Sequence, residues 1–357
     1  MKRARAVMRE LNEGGGGAAA ALRTDEVPRH AVRLVVVGAV PCITSFATLP
    51  QLLRAGDLVV VNDAATLPAS LAGHTSAGAA VELRLTGPIE TNHLNGVLFG
   101  AGDYRTRTEH RPPPPQMVVG DRVQFGTFDA EVTAVSGRVV ELATHLTGDA
   151  LWQALYAAGA PVQYAHRPER LALWSVQTAY AGRPWAVEMP SAGRPLTWDA
   201  LFGLRRAGIA LATLTHAAGL SSIGDEALDH ALPFPERYEI PRRTVEAITA
   251  TRDGGGRVIA VGTTVVRALE AAAQTGELAP GAGVATLRLE PRYRPRVVDG
   301  IISGLHAPGE THFELLQAFA PRIELEAALA RAMANGLSSH ELGDACLVLR
   351  DRGTLAG

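Results

Sequence analysis

The sequence predicts an α/β protein with a small all-β domain inserted in it, and three observations carry that reading. Short apolar, β-branched runs alternate with amphipathic helical stretches at the start of the chain and again over its second half. Between about Thr66 and Thr147 the texture changes to short alternating runs (AAVELRL, NGVLFGA, RVQFGTF, DAEVTAV and GRVVELAT) separated by Gly, Pro and Asp, the pattern of an antiparallel barrel or sandwich. Finally, GGGRVIAVGTTVVRALEAA (Gly254–Ala272) reads as a buried strand, a glycine turn and a helix. The expected organisation is a leader over 1–26, a main α/β domain over 27–65 and 148–357, and an inserted domain over 66–147.

Composition bounds what such a chain does. Its 357 residues suffice for two domains, and 47% hydrophobic with 20% charged residues is the balance of a soluble globular protein. No apolar run reaches the roughly 18 residues that would span a bilayer, so no membrane partner is expected. The first 26 residues have a basic start but too short an apolar piece for a signal peptide, and their Gly and Ala runs read as a flexible leader. Cys42 and Cys346 read as reduced thiols of a cytoplasmic protein, too few for a Cys-ligated iron–sulfur cluster. Net charge is −2 with a pI near 6.6, so any nucleic-acid surface must be local. Lys2 is the only lysine, and recognition of phosphate or carboxylate falls to arginine. A monomer is the expected unit.

In chain order, RLVVVG (Arg33–Gly38) reads as a strand, and TSFATLPQLLRAGD (Thr44–Asp57) as a short helix ending at Gly56. LVVVND (Leu58–Asp63) is a buried strand with polar Asn62 and Asp63 at its carboxyl end, where α/β enzymes place ligand contacts. A turn after a strand accounts for that pair equally well. After the insertion, ALWQALYAAG is a short helix, and TWDALFGLRRAG a helix N-capped by Thr197 with Gly208 beyond its end. IALATLTHAAG is a strand running into a loop with His216, and IPRRTVEAITATRD a helix with Pro241 at its start. In the central unit Gly262 permits an unusual backbone angle, Thr263 or Thr264 can cap a helix beginning near Val265, and Arg267 lies one turn in. First-turn N–H groups there suit an anion. VATLRLE and RVVDGIISGL read as strands, ETHFELLQAFA and RIELEAALARAMANG as helices, and GDACLVLR as a last strand.

Common cofactor signatures are absent: no GxGxxG follows a strand, and neither GxxxxGK[ST] nor GxSxG occurs. The loop LHAPGETH (Leu305–His312) is rich in polar groups, but His306, Glu310 and His312 do not have the spacing of a metal motif, and Glu310 can serve as a helix cap. His306, between a strand and a proline, is an acid/base candidate. Asp299, read as ending the strand RVVD, and Asp344, after Gly343, are candidates for a general base or a hydroxyl acceptor.

The ordered set is more specific than any member. GDLVVVND, SVQTAY (Ser175–Tyr180), MPSAG (Met189–Gly193), RYEIP (Arg237–Pro241), GGRVIAVGTTVVRALEAAA, YRPRVVDGIISGLHAPGET and GDACLVL follow one another. Together they resemble the S-adenosylmethionine:tRNA ribosyltransferase-isomerase family of queuosine biosynthesis, from about Arg29 to Leu349. The resemblance implies a barrel-like α/β domain carrying a small inserted β-barrel. It also implies transfer and isomerisation of the ribosyl part of S-adenosylmethionine onto a 7-aminomethyl-7-deazaguanine base in tRNA, with release of adenine and methionine. S-adenosylmethionine is then a co-substrate, with no prosthetic group and no metal. By the same resemblance Asn62, Asp63, Gly262, Thr263, Thr264, Arg267, Thr311, Gly343 and Asp344 are expected to bind substrate, and Asp299 and His306 to act as acid and base. Departures fall in strand-end loops, among them Val265 where the family has Ser, and SGLHAPGET where it has TNFHLP-ST. They leave a paralogue with a small-molecule or nucleoside acceptor, or a non-catalytic binding protein, as the alternatives.

Overall fold

A computed structural model of the protein describes residues 27–87, 89, 91–165, 169–274, 276–339 and 342–350; the leader over 1–26 lies outside them. The chain opens with an antiparallel pair, β1 (Arg33–Val36) and β2 (Cys42–Ser45), in which Leu34 faces Thr44. A 3₁₀ turn and the single helical turn Leu49–Leu52 lead to β3 (Leu58–Asn62). All five residues of β3 are buried, as an apolar strand covered on both faces requires. A short β4 (Ala64–Thr66) then leads into the insertion.

The insertion contains β5 (Ser70–Thr75), β6 (Ala80–Leu85), β7 (His93–Phe99), β8 (Arg122–Phe125), β9 (Phe128–Ser136) and β10 (Val139–Ala143). They pair antiparallel in the order β5-β6-β7-β10-β9-β8, and β8 returns to β5 with His74 opposite Gln124, closing a six-stranded barrel. Among the described residues every barrel strand is paired on both sides, and β11 (Gly159–Ala160) adds to β5 beyond its pairing with β8. Alternation is clearest in β8 and β9, whose buried residues recur at every second position. The barrel core reaches beyond the 66–147 expected from texture: it packs against Leu151 and Leu155 of the helix Gly148–Ala158 and against Val187, Leu220, Ile223 and Leu232.

The rest of the chain completes the main sheet. Beyond β12 (Arg183–Ala186), which pairs with β4, come β13 (Ala210–His216), β14 (Glu236–Ile240), β15 (Val258–Val261), β16 (Gly281–Ala285), β17 (Gly300–Gly304) and β18 (Ala345–Leu349). The nine-stranded mixed sheet has the order β16-β14-β13-β3-β15-β17-β18-β1-β2, with β13, β3, β15 and β17 parallel to one another. Helices Trp198–Arg206, Arg242–Asp253, Thr263–Ala272 and Arg322–Ala334 cover it, and the Thr197 hydroxyl caps the first by accepting from Ala200 N–H at 3.4 Å. Among the described residues no helix is long and apolar enough to cross a membrane.

On the outer face of β6, opposite the core residues Val81, Leu83 and Leu85, one buried carboxylate serves two guanidiniums. Glu82 accepts from Arg84 Nε at 2.7 Å, from Ser70 Oγ at 2.7 Å, and from Arg111, and all three charged side chains are buried. The Arg84 guanidinium also lies over Phe99, 4.5 Å from the ring centroid. Burial alone would raise the Glu82 carboxyl, but Arg84 and Arg111 outweigh it and hold the group below the usual glutamate range. The depressed value means stability that is fully present above the ordinary glutamate range and is lost as pH falls through the lower folded value. Glu82→Gln is expected to cost about 3–5 kcal/mol in a urea titration at pH 7, because it strands two buried guanidiniums, and to flatten the acid limb of stability against pH. A variant as stable as wild type, with the same acid limb, contradicts this account.

Candidate active site

The parallel strands dictate where a site can form, since their carboxyl ends lie along one edge of the sheet. Registers align Leu214 with Asn62, Val60 with Ala260, Val261 with Ile302, and Ser303 with Cys346. Asn62, His216, Gly262, Ser303 and the start of β18 therefore share that edge.

Asn62 is buried and uses its whole carboxamide there. Its Oδ1 accepts from His216 N–H at 2.9 Å and from Ala64 N–H at 3.1 Å, while Nδ2 donates to His216 O at 2.9 Å and reaches Thr264 Oγ1 at 3.5 Å. Asp63 is half-buried and accepts from Thr215 Oγ1 at 2.6 Å. Gly262 has φ +88°, which a side chain would strain, and its N–H donates to Ile302 O at 2.8 Å. The helix after it begins at Thr263, two residues earlier than expected, and Gly262 itself is the N-cap. Neither threonine hydroxyl caps the helix; Thr263 and Thr264 are half-buried within its first turn. First-turn N–H groups lack intrahelical acceptors, so this edge keeps its capacity for an anion.

Arg267 is placed differently from expectation. Its side chain is buried, and each of its three nitrogens donates within the protein: Nη1 to Glu236, Nε to Leu287 O at 3.2 Å, and Nη2 to Ala285 O at 3.2 Å. The guanidinium is thus committed to β14 and to the chain around β16, and an incoming carboxylate would have to compete with Glu236. Glu236 also accepts from Gly219 N–H at 2.6 Å, and its Oε2 lies 3.4 Å from His216 Nε2. Burial raises the Glu236 carboxyl, against the opposing pull of Arg267 and the Gly219 N–H. Burial, and then Arg267, push His216 down to about 3, so this fully buried imidazole is neutral. Neither of its ring nitrogens meets hydrogen-bond geometry, an unusual state for a buried polar group. Glu236 went unnoticed in the sequence because it sits 31 residues before Arg267, with no local signal of the pairing.

His306 lies just past β17, with its side chain 19% exposed. Asp344 is buried at the neighbouring start of β18, where it accepts from Arg33 N–H at 2.8 Å, Arg33 Nη2 at 2.9 Å and Ser338 N–H at 2.9 Å. Gly343 beside it leaves no room for a side chain, since an added Cβ would stand 2.3 Å from Ser339 O. These two residues fix a loop at the edge, with the Asp344 carboxylate already engaged. Thr311 is exposed at the start of the helix Thr311–Leu316. Glu310 occupies the N-cap position of that helix, but its side chain makes no cap and faces His306 instead.

Asp299 is not brought to this edge. The strand read as RVVDGIISGL begins only at Gly300, so Asp299 precedes it rather than ending a strand. Its carboxylate accepts from Val258 N–H at 3.0 Å, at the amino end of β15, and four residues of extended chain separate it from Ser303, about 13 Å. It shares that far edge with the Arg257–Asp57 pair, in which Nη2 meets Oδ2 at 2.6 Å. The structure makes Asp299 a link between strand starts, and the acid/base role expected of it has no support from its position. Among the described residues no group of three or more His, Cys, Asp and Glu side chains could hold a metal ion.

Comparison with known proteins agrees with this architecture. The profile of a family described as "Queuosine biosynthesis protein" matches residues 19–348. An S-adenosylmethionine:tRNA ribosyltransferase-isomerase of Anaeromyxobacter dehalogenans (strain 2CP-C) is 34% identical over 334 residues, covering 90% of this chain and 94% of the relative. One from Synechococcus elongatus is 36% identical over 326 residues, covering 86% and 85%. A solved S-adenosylmethionine tRNA ribosyltransferase from Thermotoga maritima covers 92% of this chain and 96% of its own, with TM-score 0.50 and 23% identity, a likeness of fold alone. The family match spans both the barrel and the whole carboxyl edge of the main sheet, and this chain belongs to the queuosine biosynthesis protein family.

Proposed function

We propose that the chain is a transferase-isomerase that moves the ribosyl part of S-adenosylmethionine onto a 7-aminomethyl-7-deazaguanine base in tRNA and isomerises it there. The observation that carries this reading is its membership of the family, with relatives of that name aligning over nine-tenths of both chains. S-adenosylmethionine is then a co-substrate and tRNA the acceptor, which implies a cytoplasmic location.

The chemistry suits the edge described above. A sulfonium acidifies the neighbouring C5′ and makes methionine a good leaving group, so the protein must supply a proton acceptor, a proton donor for departing adenine, and donors for oxyanions. Asn62, Asp63, Gly262, Thr263 and Thr264 line the centre of the edge, where the first-turn N–H groups after Gly262 suit the amino-acid carboxylate. His306 takes the acid/base role: it is partly exposed and lies just past the carboxyl end of β17, beside the edge where the other candidate groups gather. Arg267 supports this edge through Glu236 and the carbonyls of Ala285 and Leu287.

Purified protein incubated with S-adenosylmethionine and tRNA bearing the aminomethyl-deazaguanine is expected to release adenine and methionine and to yield a tRNA nucleoside with the mass of an epoxycyclopentanediol adduct. Chromatography and nucleoside mass spectrometry read both, and release without any adduct would overturn the tRNA acceptor. His306→Ala is expected to lower kcat about 10²- to 10⁴-fold. Asp299→Ala is expected to lower stability by about 1–3 kcal/mol, through the buried Val258 N–H it strands, with kcat per folded molecule at the wild-type value. A full loss of turnover in folded Asp299→Ala would return Asp299 to the catalytic set.

A further inference from the structure

The segment from β17 into the following loop, SGLHAPGE (Ser303–Glu310), places three functional groups in line. Ser303 is buried at the carboxyl edge, and its Oγ lies 3.3 Å from His306 Nε2. On the other side of the ring, His306 Nδ1 lies 3.4 Å from Glu310 Oε2. The ring of His312 stacks on that of His306, with centroids 4.6 Å apart and an interplanar angle of 24°. The imidazole thus has an oxygen at each nitrogen and an aromatic ring against its face.

The hydrogen-bonding capacities of the neighbours favour one direction. A neutral imidazole carries one N–H and one lone pair, and an ionised carboxylate only accepts. With the proton on Nδ1, facing Glu310, Nε2 keeps its lone pair toward Ser303 and the sheet edge. A hydroxyl can donate to that lone pair. Energetically the His306–Glu310 contact is small. The Glu310 side chain is 45% exposed, and solvent screens an ion pair so placed. Its consequence lies in the tautomer, because exchanging the two protonation sites would turn the base away from the edge where the substrate groups sit.

We propose that Glu310 and Ser303 are positioning residues for His306. Glu310 holds the Nδ1–H tautomer, and Ser303 holds the ring plane so that Nε2 is the proton-exchanging atom. The proposal rests on the reading of His306 as the acid/base of ribosyl transfer. In the proton-accepting step Nε2 takes one proton, the substrate carbon keeps the electron pair, and the imidazolium faces the Glu310 carboxylate. In the donating step the same proton leaves Nε2 for the departing nitrogen base, and the ring returns to its starting tautomer.

The test pairs spectroscopy with kinetics on the full-length protein. With ¹⁵N-labelled histidine, two-dimensional NMR of the wild type is expected to show His306, assigned by its loss in His306→Ala, as the Nδ1–H tautomer. Glu310→Gln is expected to mix the two tautomers. In turnover assays Glu310→Gln should lower kcat about tenfold or more, with KM for S-adenosylmethionine and the melting temperature unchanged, and Glu310→Asp should recover part of the loss. Ser303→Ala should lower kcat while leaving the tautomer intact. An Nε2–H tautomer in the wild type, or wild-type kcat in Glu310→Gln, overturns the proposal. If the wild type fails to turn over S-adenosylmethionine, the functional reading fails, and the tautomer measurement still decides the role of Glu310.

Discussion

The carboxamide of Asn62 is the interaction on which the functional edge depends. Parallel strands pair through slanted, evenly spaced hydrogen bonds that stop where the strands stop, so the first residue beyond the ladder needs another partner. Asn62 supplies it with one side chain, accepting from His216 N–H and donating to His216 O at 2.9 Å each. Its reach to Thr264 extends the same connection to the helix after β15. A buried amide satisfied in this way holds three chain segments in one geometry, whereas leaving it unsatisfied would cost about 1–3 kcal/mol. The positions of Gly262, Thr264 and His216 relative to one another follow from it.

Much of the architecture was legible, and the physical reason differs by region. The barrel could be read because half-buried antiparallel strands write their geometry into alternating residue types. Buried parallel strands such as Leu58–Asn62 and Val258–Val261 could be read as apolar runs, but such runs do not say which end of a strand a flanking polar residue occupies. Asp299 shows the consequence: RVVD looked like a strand closing on a carboxylate, yet the strand starts after it, and the residue belongs to the far edge. Asn62 escaped this ambiguity because its apolar run lies wholly before it and a second polar residue follows, whereas Asp299 has apolar runs on both sides. Side-chain partners were the least legible layer. Arg267 matched a pattern, but Glu236, which engages it, comes from a strand distant in sequence. Glu310 could be read as a cap, and only the fold brings its carboxylate to His306.

The two domains handle buried charge by the same means. Glu82 with Arg84 and Arg111 in the barrel, and Glu236 with Arg267 in the main domain, each set a carboxylate against guanidinium and then fill the remaining positions with hydroxyl, backbone N–H or carbonyl groups. A guanidinium offers five donors in a rigid fork, enough to bind a carboxylate and carbonyls together, which an ammonium on a flexible stem does less well. In a chain with a single lysine, both of these buried ionic links use arginine. Such links add little net stability over apolar packing, but breaking one partner is costly, so they act as constraints on geometry more than as sources of energy.

The placement of the barrel follows from where β3 lets go of the chain. The exit after Asn62 and Asp63 is at the carboxyl edge, so an insertion there must stand beside the site rather than behind the sheet. It interrupts no strand, because β13 and β15 flank β3 whatever the chain does in between, and closing a long excursion costs only slowly more entropy as it lengthens. The barrel core also takes in Leu220, Ile223 and Leu232, which follow His216 out of β13. The loop leaving the site is therefore anchored in the barrel, and the barrel in turn is fixed to that loop. A shift of either would be felt at Gly219 and through it at Glu236, which ties the orientation of the inserted domain to the buried charge pair beneath the active edge.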